Sequence, residues 1–292
     1  LTFEQVRSEE FDEKWIPSTS KEPNFGFNES AFWVRFQLID HDTNLADWVL
    51  KEDYSSLDYI DLYIPLKNSQ FEIIKTGDFR KFSTRKIPNK SFVFDLNSNI
   101  SKDPVFYMHI QTEGSVQFPT NLIRKSKFFT DDHNEQIIYG CYFGALVVMS
   151  LFNLLLFFSL NRRSYLFYSL YLLSLSLMMA AFNGYLAEYF FQNTPDYNNP
   201  SLSFFGGAFM MFMGLFSASY LLTEKNMPKI HKVFIFIILY FLIFTLLSFF
   251  VKYKYLVRIM PVSVLSQLLI IMYSGIYLWV KGYRPAKYFV IA

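Results

Sequence analysis

Apolar and polar positions alternate in short runs through the first 125 residues, and then the alternation gives way to long apolar stretches. At residues 32–38 a period of two puts Phe32, Val34, Phe36 and Leu38 on one face. The pattern recurs at 58–64, with Ile60, Leu62 and Ile64 facing inward, and again at Phe92, Phe94, Leu96 and at Phe106, Met108, Ile110. Shorter candidate strands lie at 46–50, 71–75 and 116–122. Turn-forming groups separate them: Thr76-Gly77-Asp78, Pro88-Asn89, Asp103-Pro104 and Glu113-Gly114-Ser115. Short strands at this spacing predict a β-sandwich of jelly-roll-like form over residues 1–125. Residues 126–136, polar and then acidic, read as a connector.

The second region reads as all-α and membrane-spanning. Residues 137–159, 164–187, 197–223, 233–251 and 259–280 carry no charge, and each interval is at least 19 residues long. About 20 apolar residues of helix cross the roughly 30 Å hydrocarbon core of a bilayer. In 233–251, 16 of 19 residues are Val, Ile, Leu or Phe, enough to favour insertion by about 5–10 kcal/mol. A soluble helical core would show polar faces at helical period, and these intervals are apolar all round. The predicted spans are about 137–160, 164–187, 200–222, 232–251 and 258–280. A sixth begins at Pro285, suited to a first helical turn, and stops at Ala292. The chain therefore reads as a fragment, with a polytopic helix bundle over 137–292 truncated in its sixth span.

Charge sharpens the division. Residues 1–136 hold 16 Lys and Arg against 22 Asp and Glu, while residues 137–292 hold 11 against 3. A chain that is 52% hydrophobic and 20% aromatic is neither disordered nor a basic nucleic-acid binder. The single Cys141 leaves no internal disulfide to form. Short basic loops such as Asn161-Arg162-Arg163 place the odd-numbered loops in the cytoplasm and the N-terminal region outside it. The five charge-free intervals contain no Asp, Glu, Lys, Arg or His, which argues against an ion or proton pathway. Asn153, Asn183 and Gln267 are their strongest polar groups and read as hydrogen bonds between helices. Gly140-x-x-x-Gly144 would allow two helices to approach closely.

The outward faces of the strands hold the candidate ligand-binding residues. Trp33 and Arg35 share one face, Tyr59, Asp61 and Tyr63 another, and Trp48 lies near in sequence. An aromatic platform flanked by a carboxylate and a guanidinium suits a small carbohydrate-like ligand, whose CH faces stack on rings while its hydroxyls take charged partners. The alternative is that Trp33 and Tyr63 cover a sheet edge or pack against a partner domain, with Arg35 and Asp61 a local ion pair. No phosphate loop, zinc motif or nucleophile elbow occurs, and the four His (41, 109, 133, 231) lack metal-ligand spacing. No catalytic residue, metal or cofactor is expected in this stretch, and no nucleic-acid partner. Asp58 and Asp61 fall on opposite faces of a regular strand, so they are not a glycosidase pair.

Several motifs resemble a known family. Tyr139-Gly140-Cys141-Tyr142-Phe143-Gly144, Phe152-Asn153-Leu154, Asn161-Arg162-Arg163-Ser164-Tyr165 and Asn183-Gly184-Tyr185 are similar to the membrane helices of bacterial seven-transmembrane receptors with diverse intracellular signalling modules. Lys281-Gly282-Tyr283-Arg284-Pro285-Ala286 resembles the entry to that family's sixth span. Phe32-Trp33, Leu57-Asp58, Gly77-Asp78 and Phe106 through Gly114 resemble its extracellular β-domain. The resemblance implies a jelly-roll sensor similar to carbohydrate-binding modules, a seven-helix relay in the bacterial cytoplasmic (inner) membrane, and a cytoplasmic output module such as a kinase or cyclase, here absent. The expected partners are a small-molecule ligand and the lipid bilayer, with a homodimer one open arrangement. The rival readings are a transporter or permease with an accessory outer domain and a membrane-tethered carbohydrate-binding module.

Overall fold

A computed structural model describes residues 1–291 except 21, 39–44, 97–98, 102–103 and 222–227. His41, Asp103, Lys225 and the terminal Ala292 lie outside the described residues. The chain forms two compact units: Leu1–Asp131 with Ala187–Pro195, and Asp132–Leu186 with Asp196–Ala292.

The first unit opens with a short helix, α1 (Phe3–Arg7), and a 3-10 helix over Glu9–Lys14. Among the described residues nine strands follow: β1 (Asn24–Phe27), β2 (Phe32–Gln37), β3 (Trp48–Glu52), β4 (Tyr59–Pro65), β5 (Phe71–Thr76), β6 (Phe92–Asp95), β7 (Val105–Gln111), β8 (Ser115–Gln117) and β9 (Thr120–Arg124). One sheet has the order β2-β7-β4-β5, a second β6-β3-β9, and β1 pairs with β8 in a small ribbon. The inward residues of the alternation close the core of this sandwich. Ile60, Leu62 and Ile64 of β4 pack with Phe106, Met108 and Ile110 of β7 and with Leu50, Phe92 and Phe94 from the other sheet. Burying such a side chain stabilises the fold by roughly 1.5–3 kcal/mol. The expected strand at 116–122 is two strands, β8 and β9, divided where Phe118 and Pro119 intervene.

The Gly77 turn locks one end of the first sheet. Gly77 has φ +142°, and a Cβ there would lie 2.1 Å from the Asp58 carbonyl oxygen, so only glycine fits. The close approach lets the Asp78 N–H donate to the Leu57 carbonyl at 2.7 Å and the Phe79 N–H to the Asp58 carbonyl at 3.1 Å. The buried Asp58 carboxylate accepts from the Glu113 N–H at 2.6 Å, tying β7 to the same corner.

In the second unit the long helices are α2 (Lys125–Leu160), α3 (Arg163–Phe182), α5 (Asn198–Leu221), α6 (Pro228–Leu247) and α7 (Tyr253–Val280). All five are long and apolar enough to cross a membrane. A short α4 (Tyr185–Tyr189) follows α3, and α8 (Arg284–Ile291) follows α7. Helix α5 is the hub, packing on α3, α6 and α7. Its glycines permit this: a Cβ at Gly207 would lie 2.5 Å from Thr245 Oγ1, and one at Gly206 would overlap the Met260 methyl. The Gly140/Gly144 expectation is not met, because an added Cβ at either position finds nothing within 4 Å. Polar groups bridge the helices instead. Ser150 and Ser169 each donate to the other's backbone carbonyl, at 3.0 and 2.8 Å. The Gln267 amide donates to the Met210 carbonyl at 2.8 Å. Asn153, by contrast, bonds back to Met149 of its own helix.

The expected connector at 126–136 is helical. Strand β9 ends at Arg124 and α2 begins at Lys125, so no flexible loop separates strand from helix. Lys125 pairs with Asp95 at 2.5 Å. One turn on, Phe128 is buried in a cluster with Val49 and Val93, beside Ile87 and Ile123. At 1.5 Å per residue the 36 residues of α2 extend roughly 54 Å, well beyond a ~30 Å hydrocarbon layer.

Candidate functional site

Register turns the two outward faces read from sequence into one surface. Because β7 lies between β2 and β4, Trp33 sits opposite His109, which sits opposite Asp61. Likewise Arg35 sits opposite Tyr107, and Tyr107 opposite Tyr63, while Tyr59 faces Gln111. The rings converge: Trp33 lies 5.6 Å from Tyr63 and 4.8 Å from His109 between centroids. Tyr107 and His109 were not singled out from sequence. The signal was present, because Phe106, Met108 and Ile110 facing inward put Tyr107 and His109 outward.

This surface is covered by the chain's own first residues. Thr2 and Gln5 form a capping box: Thr2 Oγ1 accepts from the Gln5 N–H and Gln5 Oε1 accepts from the Thr2 N–H. The short helix so started lays Phe3 flat on Tyr63, with centroids 4.0 Å apart and planes at 10°. Phe3 also meets Tyr107 and Phe71 edge-on, at 5.6 and 5.0 Å. Arg35 pairs with Asp12 and lies 4.9 Å over the Trp15 ring. The ion pair expected between Arg35 and Asp61 does not form. Asp61 instead pairs with Arg80 at 2.5 Å, with Lys75 at 3.9 Å, and Arg80 in turn lies 5.3 Å over Tyr59. Burial pushes the Tyr63 phenol up, and the nearby Asp61 charge adds to it. Burial pulls the His109 imidazole down, with Asp61 opposing.

Trp48 does not join this surface. It belongs to β3 of the other sheet, half-buried against the core, with Arg124 5.4 Å over its ring. Proximity in sequence misled here because β3 pairs with β6 and β9, never with β2. Among the described residues no group of three or more His, Cys, Asp or Glu is placed to hold a metal ion.

A second cluster stands at the start of β9, at the opposite end of that strand from the root of α2. Glu52, fully buried on β3, accepts from Thr120 Oγ1 at 2.7 Å and from the Tyr54 N–H at 3.2 Å. Burial pushes its carboxyl up to about 7, against those two hydrogen bonds. Thr120 opens β9, the strand that becomes α2.

A third cluster gathers two of the sequence motifs in the second unit. The Tyr139 hydroxyl of α2 donates to Asn183 Oδ1 at 2.9 Å, just past the end of α3. Gly184, with φ +80°, turns the chain so that Tyr185 meets Tyr139 and Phe143 edge-on at 5.3 and 5.7 Å. Residues read only as motif letters thus form one knot joining α2 to the end of α3.

No curated protein matches the chain. Two family models do, and together they account for nearly all of it. The model described as 7TMR-DISM extracellular 2 matches residues 1–124, the sandwich up to the root of α2. The model described as 7TM diverse intracellular signalling matches residues 135–292, the helices with the Tyr139–Asn183 knot. With the second model alone covering more than half of its residues, the chain belongs to the 7TM diverse intracellular signalling family, as a multi-pass membrane sensor whose N-terminal domain is extracellular.

Proposed function

We propose that the extracellular sandwich binds a small carbohydrate-like ligand on the outward face of the β2-β7-β4-β5 sheet. Binding is relayed through α2 and the helix bundle, in a bacterial cytoplasmic membrane, to a cytoplasmic output module. The observation that carries the relay is the root of α2: a strand passes into a helix with no loop, and Phe128 fixes that helix in the apolar cluster with Val49 and Val93. A shift of β3 or β9 is therefore a shift of α2. The likeness of the family's sensor to jelly-roll carbohydrate-binding modules and the aromatic surface around Trp33, Tyr63 and Tyr107 support the ligand class. Phe3 occupies on Tyr63 the place that a sugar's CH face would take, so the ligand binds by exchanging with Phe3.

A signal requires the ligand to favour one of two arrangements, and a coupling of about 1–3 kcal/mol is typical. The test of the ligand face is a glycan array probed with the whole chain in lipid nanodiscs. Trp33→Ala with Arg35→Ala is expected to abolish the retained signal, and Phe3→Ala to strengthen it. Retention by the double variant would overturn the site. A Gly-Ser insertion after Lys127, in a receptor carrying its output module, is expected to uncouple ligand from output; an unchanged response would contradict the relay.

A further inference from the structure

We infer that the segment Ala187–Pro195 is a latch, a second mechanical input by which the sandwich acts on the α3–α5 pair. The inference deepens the receptor reading above, and its test needs neither ligand nor output module.

With the N-terminal domain extracellular, α2 runs inward and α3 returns, so the chain after α3 emerges on the sandwich's side of the membrane. Residues 187–195 belong to the same compact unit as the sandwich, although they follow it by more than one helix in sequence. The docking is specific. The Phe82 N–H donates to the Gln192 carbonyl at 2.9 Å. The segment holds its own shape, with the Thr194 N–H on the Phe191 carbonyl at 3.0 Å and the Gln192 amide on the Glu188 carbonyl.

The receiving surface is built around a buried cation. Arg85 is held between the rings of Phe82 and Phe92, 4.7 and 4.2 Å from their centroids. Its guanidinium donates to the carbonyls of Asn89 at 2.6 Å and Lys90 at 2.8 Å. Burial lowers its pKa to about 10, and the carboxylates of Asp78 and Glu188 oppose that shift. A buried cation needs compensating charge. One of the two carboxylates that oppose the shift, Glu188, belongs to the latch.

The latch is tethered at both ends to the helices it would move. Immediately before it stand Asn183 and Tyr185, bound to Tyr139 of α2. Shortly after it α5 begins, and α5 packs along α3. A displacement of the Phe82–Arg85 surface is thus passed to α3 and α5 together, at the point where α2 is also fastened.

The test uses disulfide trapping in the whole chain, reconstituted in liposomes, with Cys141→Ser to remove the native thiol. In one protein, Phe82→Cys with Gln192→Cys is expected to cross-link on mild oxidation, because residues joined by a direct backbone bond lie within disulfide reach. In a second protein, Ser164→Cys with Ser219→Cys reports on the far ends of α3 and α5, where the Ser164 hydroxyl donates to the Ser219 carbonyl at 3.4 Å. Two separate changes then weaken the latch. Phe82→Pro removes the donor at the first position of a short helix, where proline is tolerated. Glu188→Gln removes the charge but keeps the Phe82 ring. A change of at least threefold in the reporter's cross-linking rate with either variant supports the latch. Absence of the 82–192 cross-link, or reporter rates that neither variant moves, overturns it.

Discussion

The extracellular sandwich and the helix bundle solve the same packing problem with different means. In the sandwich burial from water of alternate residues selects the arrangement, and a glycine serves where the backbone must turn, as at Gly77. In the bundle both lipid and neighbouring helices are apolar, and burial no longer discriminates. Selection passes to fit and to polar contacts. Gly206 and Gly207 admit α6 and α7 against α5, and Ser150, Ser169 and Gln267 supply the bonds between helices. The lesson is that a glycine or a serine carries different information in each half.

The comparison breaks most sharply at its boundary. Phe128→Ala empties the cluster with Val49 and Val93, and the melting temperature of the sandwich is expected to fall by the equivalent of about 3–5 kcal/mol. A truncation on the apolar stretch of α2 such as Val148→Ala, at an exposed position that faces away from the other helices, should leave that transition unchanged.

Glu52 gives the next largest effect, and it depends on pH. Burial raises its pKa in the folded protein from 4.5 to about 7, so folding favours the neutral form. The stability it contributes is complete below about pH 4.5 and is lost as pH rises through about 7, a difference of roughly 3 kcal/mol. Thermal unfolding of the wild type and of Glu52→Gln, compared from about pH 5 to about pH 8, should show the variant gaining stability relative to the wild type as pH rises. A constant difference would mean that Glu52 does not titrate in this range.

The glycines sharpen the contrast further. Gly77→Ala should cost about 2–3 kcal/mol of sandwich stability through backbone overlap and an unfavourable φ. Gly207→Leu should cost about 1–3 kcal/mol by forcing α5 away from Thr245 and Phe244, read as a lower detergent-resistant melting point. Gly140→Ala, with open space around it, should change either transition by less than about 0.5 kcal/mol.

Strand positions were legible because each inward residue is separated by one outward residue, from Phe32 to Leu38 and from Ile60 to Ile64. Pairing was not, because the neighbours of β3 come from far along the chain, and Trp48 was placed with the wrong sheet for that reason. The outward surface of Trp33, Arg35, Asp61 and Tyr63 was found in pieces, and only the intervening β7 makes it continuous. Its cover was missed, although Thr2 and Gln5 carry a capping-box spacing that marks a helix start. The membrane spans were legible from absence of charge alone. The outer turns of α2 were read as a connector because helical residues outside lipid are polar. Charge-free length cannot report them.

The proposed relay rests on α2 being helical from Lys125 onward, through residues 126–136, and hydrogen exchange measures that directly. In the reconstituted whole chain, amides of residues 126–136 should be protected to nearly the same degree as those of β3 and β9. Exchange within seconds across that segment, as a flexible tether would show, would contradict the proposed relay through α2.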